Sequence, residues 1–394
     1  TYQGCNPEYQ YERKSNPRRV LTKPSKPTHN DGYDNEDWDY ILYVNDILGV
    51  QEGQQYRILE TLGQGTFGQV VKCENIKTKE LVAIKVIKNK LAYYNQSLVE
   101  VTILNMLNTQ FDPDNKHRLV RMRDTFVFRS HLCIIFEMLS VNLFELIKQN
   151  NYRGLSIHLV RLFISQLLDS LVVLNQARII HCDLKPESNI CLSLSAIRSL
   201  EAPDIKVIDF GSACHENETI YTYIQSRFYR APEVLLGLPY TSSIDMWSLG
   251  CIAAELYLGL PLFPGSSEFN QLSRIVEMLG VPPTYMCEKG KSSSQFFDKI
   301  DTPTGRQHVL KSIQTYMAEN NTTEQPSKRY FNGTTLAEVI NGYPLPRKGK
   351  ELEKELEARA SLLDFLEGVL NLNPLERWSP QQAKMHPFIT GERF

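Results

Sequence analysis

No C-x-x-C pair occurs in this sequence of 394 residues, although it contains eight cysteines. Cys5, Cys73, Cys133, Cys182, Cys191, Cys214, Cys251 and Cys287 all stand alone, which excludes a zinc-finger type site and a disulfide framework. Several lie inside apolar runs, where a buried thiol is expected, and the pattern suits a reducing compartment, cytosol or nucleus. An excess of charge is also lacking: 43 Lys and Arg against 45 Asp and Glu leave a net charge of −2. That balance gives no basis for bulk attraction to nucleic acid or to an anionic membrane. We read neither a signal peptide nor a long apolar span, so no membrane association is expected. What is present is a globular composition, 42% hydrophobic and 22% charged, in a chain too long for one ordinary core.

Residues 1–37 are rich in Pro, Asn, Lys, Arg and Tyr without apolar period, and predict an extended, partly disordered arm. Residues 38–55 form a leading segment whose aromatic and β-branched start, Trp38 to Val44, marks the onset of structure. From Tyr56 the pattern is β. Gly63, Gly65 and Gly68 punctuate a strand–turn–strand that continues through Val70, where missing Cβ atoms let backbone amides approach phosphate oxygens. A dinucleotide-binding fold would need a helix directly after the glycines, whereas strand residues follow. On the next strand Ala83 and Lys85 share one face while Val82 and Ile84 take the other. The following helix, Ser97 to about Leu107, places Glu100 on one stripe with Ile103, Leu104 and Leu107. A carboxylate there requires a partner, and Lys85 is the candidate. An apolar strand, Leu132 to Phe136, runs into Glu137-Met138-Leu139, after which the chain turns helical from Asn142. A helix capped by Ser242 or Ser243 is apolar almost all round and predicts a buried rod. Residues 284–345 lose periodicity and read as an irregular insert. Helix returns over Glu351–Leu370.

The densest chemistry lies between His181 and Gly211. Asp183, Lys185, Ser188 and Asn189 crowd one polar turn after the apolar pair Ile179-Ile180. A short strand signal, Ile205 to Ile208, then breaks at Asp209-Phe210-Gly211. Two carboxylates from neighbouring loops, with a Lys and an amide between them, suit metal-assisted phosphoryl transfer. Solvated turn formers would use the same residue types, so order and context decide.

In this order the pieces resemble the eukaryotic protein kinases over roughly residues 56–390. The resemblance implies an α+β bilobal fold. A small β-rich N-lobe with one key helix (56–139) would precede a larger, mainly helical C-lobe (140–390). It further implies ATP and Mg2+ as cofactors, with Gly63, Gly65, Gly68, Val70, Ala83, Phe136, Glu137 and Leu139 around the nucleotide. Lys85 would hold ATP phosphates and Glu100 would pair with it. Asp183 would be the catalytic base, Lys185 its companion, and Asp209 with Asn189 the metal ligands. Ala231-Pro232-Glu233 resembles the activation-segment anchor, with Arg377 as its distant partner. The run Thr219 to Arg230, and Asn30 to Asp34 followed by Asp39-Tyr40-Ile41-Leu42, are similar to the dual-specificity tyrosine-regulated kinases, and the stretches Tyr40 to Asp46 and Asn371 to Trp378 are most similar to the fungal Yak subgroup. The resemblance implies phosphorylation of Ser and Thr, favouring sites followed by Pro, and autophosphorylation of one activation-loop tyrosine, here Tyr223, with Arg227 and Arg230 as its charge partners. The expected partners are protein substrates, with neither nucleic acid nor membrane, and the chain is expected to act as a monomer.

Two positions depart from the common pattern. Cys182 stands where most kinases carry an arginine beside the catalytic Asp. The metal-binding Asn falls five positions after that Asp in the signature, a place held by Ser188. Either Ser188 replaces it or one residue is inserted and Asn189 serves; the apolar Ile190-Cys191-Leu192 that follows favours insertion. An active kinase is therefore weighed against a pseudokinase scaffold that binds nucleotide without catalysis, and against a nucleotide-binding oxidoreductase.

Overall fold

A computed structural model describes residues 18–187, 189–193, 203–219, 222–303, 305–325, 328–344 and 350–394. The chain forms two compact units, residues 1–101 with 121–138, and residues 102–120 with 139–394.

The first unit is built on a six-stranded antiparallel sheet of β1 (Ile47–Leu48), β2 (Tyr56–Gly65), β3 (Gly68–Asn75), β4 (Leu81–Ile87), β5 (Met122–Phe128) and β6 (His131–Glu137), in the order β1-β2-β3-β4-β6-β5. Alternation along β4 buries Val82, Ile84 and Val86 and leaves Ala83 and Lys85 half-buried on the opposite face. The buried face joins Ile58, Val71, Cys73 and Ile135 in a core that also takes in Tyr40, Leu42 and Leu48. Helix α1 (Leu91–Met106) starts earlier than its sequence period indicated. It ends in one wide turn, Leu107–Phe111.

The segment read as a loose arm to residue 37 is corrected from Arg18 onward. Leu21 and Val44 donate to Leu42 and Arg19 carbonyls, and Thr22 Oγ1 reaches Tyr40 O (3.0 Å) and Gln69 Oε1 (2.7 Å). Asp34, fully buried, receives His131 Nε2 at 2.7 Å and Asn89 Nδ2 at 3.1 Å. Polar side chains making long-range hydrogen bonds, rather than an apolar period, fix this stretch, and that is why its pattern looked disordered. Residues 1–17 of the same arm lie outside the described residues.

In the second unit, α2 (Leu143–Gln149) is capped by Asn142 and α3 (Ile157–Gln176) by Ser156. By length and composition α3 could cross a bilayer, which corrects the expectation of no long apolar span; 56% of its apolar window is buried inside the protein. Short pairs follow: β7 (Ile179–Ile180) with β10 (Cys214–His215), and β8 (Ile190–Leu192) with β9 (Ile205–Val207). After α4 (Pro232–Leu235), helix α5 (Ser243–Leu258) is the predicted rod, buried from Ile244 to Leu258. Ser242 does not cap it through its side chain; its hydroxyl sits against Glu216 and Asn175 instead. The 284–345 stretch is more regular than expected. It holds helices Thr284–Lys289 and Ser293–Phe296, the hairpin β11 (Phe297–Thr302) with β12 (Gly305–Leu310), and helices Ile313–Asn320 and Leu336–Asn341. Most of these elements are shorter than the window over which apolar periodicity can register. Arg377 closes on Glu233 in a fully buried bidentate pair (2.6 and 2.9 Å), as the resemblance implied.

Within this core Glu255 of α5 accepts a hydrogen bond from Tyr229 Oη at 2.7 Å. Burial pushes its carboxyl up to about 7, against the smaller opposing effect of the Tyr229 bond. The folded pKa lies above the unfolded one, so the neutral acid's stabilisation is complete below pH ~4.5 and is lost as pH rises through about 7. A shift of this size corresponds to about 3 kcal/mol. Glu255→Gln, which keeps an acceptor for Tyr229 without the charge, should therefore unfold at higher denaturant than wild type at pH 8 and show a flatter stability profile between pH 5 and 8. Equal pH slopes for the two proteins would contradict this.

Candidate active site

The first unit presents one set of groups. The β2–β3 hairpin closes at Gly65 opposite Gly68. At Gly68 a Cβ would lie 2.1 Å from the Val86 carbonyl, so packing alone demands glycine there. At Gly63 and Gly65 a Cβ would meet nothing within 4 Å. The fold does not need glycine at those two places, which leaves open backbone of the kind a phosphate group requires. Register sets Val70 opposite Lys85, and Ala83 opposite Phe136, so the predicted nucleotide-facing side chains Val70, Ala83, Lys85 and Phe136 share one face. Lys85 Nζ lies 3.0 and 2.9 Å from the two carboxylate oxygens of Glu100. Glu100 is 1% exposed and Lys85 12%, so the carboxylate is committed to holding the ammonium. Phe67 lies 6.0 Å from the same ammonium. Glu137 continues from Phe136 and accepts Arg121 N through Oε1 at 2.8 Å; Leu139, in the second unit, is half-buried.

The second unit carries the two loops. The His181–Asn189 turn hangs between β7 and β8, and Asp209-Phe210-Gly211 follows β9 directly. The fully buried carboxylate of Asp245 anchors the turn by accepting His181 N (2.7 Å) and Cys182 N (3.1 Å), and burial raises its pKa. His181 Nε2 contacts Ile208 O at 3.1 Å and its ring meets Phe210 edge-on at 5.0 Å, tying the two loops together. Asp183 Oδ1 accepts both Ser226 N (2.9 Å) and Ser226 Oγ (2.7 Å), and Oδ2 accepts Lys185 Nζ (2.6 Å). Lys185 Nζ also donates to Ser226 Oγ at 3.0 Å. The carboxylate is thereby fixed in rotation beside a cation.

Asn189 is fully buried, donates from Nδ2 to Asp183 O (2.7 Å), and through its own carbonyl accepts Ile208 N, next to Asp209. This places Asn189 between both loops, whereas Ser188 lies outside the described residues. Asp209 holds a left-handed backbone, φ 61°, an uncommon conformation for a non-glycine residue. One carboxylate and one amide are hard oxygen donors that fit a small divalent cation completed by phosphate oxygens. Among the described residues no group of three or more His, Cys, Asp or Glu forms a self-sufficient metal cage.

The activation run supplies a third cluster. Tyr223 is 70% exposed, and the Arg230 guanidinium lies 4.2 Å from its ring centroid. Hydrogen bonding and charge from Arg230, with a weaker contribution from Arg227, lower the phenol's pKa. Arg230 is itself buried and held by Ile224 O, Gln225 O and Glu268 Oε1. Arg227 donates to Ser266 O, while its buried Nε has no hydrogen-bond partner among the described residues. Tyr221 lies outside the described residues. Sequence reasoning missed Ser226 and Asp245. For Asp245 a signal existed, a carboxylate on a helix apolar almost all round, akin to the carboxylate on an apolar stripe that singled out Glu100. For Ser226 there was none.

Comparison with known proteins agrees with this geometry. The protein kinase domain model matches residues 56–389. The chain is 57% identical along its whole length to Serine/threonine-protein kinase ppk15 of Schizosaccharomyces pombe, covering 73% of that protein. It is 54% identical to Dual specificity protein kinase YAK1 of Saccharomyces cerevisiae, again along its whole length, covering 49% of it. Over 95% of its length it is 42% identical to the human Dual specificity tyrosine-phosphorylation-regulated kinase 4, covering 64% of that protein. The chain thus spans between about half and three-quarters of these relatives. With the domain matched across most of its length and its charged groups set as described, the chain belongs to the protein kinase family, whose members use ATP and a divalent metal, and within it resembles the Yak and dual-specificity tyrosine-regulated branch.

Proposed function

We propose that this chain transfers the γ-phosphoryl group of ATP to Ser and Thr of protein substrates, preferring sites followed by Pro, and phosphorylates its own Tyr223. The observation that carries the reading is the Asp183 carboxylate, held on one oxygen by Ser226 and on the other by Lys185. So fixed, it can orient an acceptor hydroxyl and take its proton, while Lys185 offsets the negative charge nearby. Lys85, steadied by Glu100, is assigned to the phosphates, and the glycine hairpin to their backbone contacts. Asp209 and Asn189 would hold Mg2+, which supplies charge neutralisation on the transferring phosphate. Retention of this whole set does not favour a pseudokinase scaffold, and the hairpin after Gly68 does not favour an oxidoreductase. The free thiols of the seven described cysteines support a reducing compartment, cytosol or nucleus.

Preference for Pro has its own support. Gln225, just before Ser226, is left-handed (φ 63°), and its carbonyl is taken by Arg230 Nη2 at 2.8 Å. A substrate amide arriving there finds that acceptor engaged and bears a desolvation cost, whereas proline has no N–H to satisfy.

Three outcomes test the reading. Lys85→Arg and Asp209→Asn should each lower phosphate transfer by about 10²–10³ or more, because transition-state charge stabilisation is lost, with melting temperature little changed; near wild-type turnover at saturating ATP and Mg2+ would sink the assignment. Replacing the Pro of a Ser-Pro peptide by Ala should lower kcat/KM, and N-methylalanine at the same place should restore much of it; indifference to all three would remove the engaged-carbonyl account. Peptide mass analysis should find phosphate on Tyr223 of recombinant wild type and none on Lys85→Arg, since a phosphate's charge would meet Arg230 and Arg227 there. Fully active protein with unmodified Tyr223 would overturn the self-activation step.

A further inference from the structure

The activity proposed above favours a Ser or Thr followed by Pro, and the chain carries such acceptors of its own. Only two of its 20 prolines follow one of these residues, in Thr302-Pro303 and Ser379-Pro380. Their surroundings differ. Ser379 caps the helix Pro380–Lys384: its Oγ accepts Gln382 N at 3.3 Å, and its own amide donates to Gln382 Oε1 at 2.9 Å. This reciprocal cap occupies the hydroxyl, and Pro380 is buried. Presenting Ser379 to an active site would require the start of that helix to unfold out of the core.

Thr302 stands at the opposite extreme. It is the last residue of β11 and pairs with Gly305 of β12 at the closed end of the hairpin. Asp298 to Asp301, Pro303, and Gly305 to Gln307 are all exposed; the buried members of the two strands are Phe297 and His308. Among the described residues β11 and β12 pair only with each other. A two-stranded hairpin has little stability of its own, so its tip opens at small cost. Opened, it offers an extended stretch with Pro303 in the place where an amide would meet the engaged Gln225 carbonyl. We propose that Thr302 is a self-phosphorylation site of this chain, separate from Tyr223, and that Pro303 selects it.

The inference rests on the Pro-directed reading given under the proposed function. In the transfer step Thr302 Oγ1 forms a bond to the γ-phosphorus of ATP while the bond from that phosphorus to the β–γ bridging oxygen breaks. ADP leaves, and the hydroxyl proton passes to Asp183. In the unmodified chain that hydroxyl donates to Gly305 O at 2.6 Å, across the turn. The ester oxygen has no proton to give, so this bond is lost on modification. About −1.5 to −2 of charge then arrives next to Asp301, whose carboxylate lies 3.2 Å from Arg306 Nε. Arg306 is left to choose between two anions, and the phosphate is the stronger acceptor. A chain that meets active enzyme is thereby marked on an exposed tip, far in sequence from the activation run.

The test treats the full chain with a phosphatase specific for phosphoserine and phosphothreonine, removes the phosphatase, and adds ATP and Mg2+. Fragmentation mass spectrometry that separates Thr302 from Thr304 reads the sites, and transfer to a Ser-Pro peptide is measured on the same samples. Thr302 should gain phosphate in wild type and none in Lys85→Arg, and Ser379 should stay unmodified in both. Pro303→Ala should lower occupancy of Thr302 by about tenfold or more, since an amide now meets the engaged carbonyl, with peptide transfer unchanged. Thr302→Ser should keep the modification. Peptide transfer with Thr302 unmodified overturns this inference and leaves the Pro-directed reading standing. Loss of both in wild type overturns that reading and the inference with it. Phosphate regained at Thr302 of Lys85→Arg overturns self-modification, and equal occupancy in Pro303→Ala and wild type overturns selection by Pro303.

Discussion

An ionised carboxylate withdrawn from water must be met by a cation or by several hydrogen-bond donors, or it destabilises the fold by several kcal/mol. The charged architecture of this protein follows from meeting that constraint repeatedly. Glu100 is met by Lys85, Glu233 by Arg377, and Asp245 by two backbone amides of the His181 turn. Asp183 is met by Lys185 and Ser226. In three of these cases the partner that satisfies the carboxylate is also placed by it. Lys85 is presented by Glu100, the catalytic turn is anchored by Asp245, and the activation segment is fastened at Ser226. Burial still pushes Asp245 and Glu255 towards neutrality, and Glu255, whose carboxylate accepts the Tyr229 phenol, rises to about 7.

Much of this was legible in the sequence wherever a local pattern carried it. Alternation along Leu81–Ile87 placed Lys85 on the open face, and a helical stripe placed Glu100 inward, so their pairing followed from mutual need. The Ser243–Leu258 helix, apolar almost all round, read as a buried rod and is one. The hairpin at Gly63–Gly68 was distinguishable from a dinucleotide loop because strand residues continue after it. Assignment of roles within the His181–Gly211 run came from resemblance rather than from spacing.

What was not legible depends on contacts far apart in sequence. Asp34 with His131, and Thr22 with Gln69, join residues separated by 97 and 47 positions. A polar segment fixed by such bonds carries no apolar period and looks like a tail. The hydroxyl of Ser226 reaches Asp183 across 43 positions, and nothing about a serine in a loop announces it.

The account turns on Asp183 acting on the acceptor hydroxyl rather than on nucleotide binding. The most direct measurement compares wild type and Asp183→Asn for phosphate transfer to a Ser-Pro peptide and, on the same preparations, for ATP affinity. The account predicts that kcat falls by about 10²–10⁴ while ATP binding stays within a few-fold of wild type. Retained turnover in the asparagine variant, or a loss explained wholly by weakened ATP binding, would contradict it.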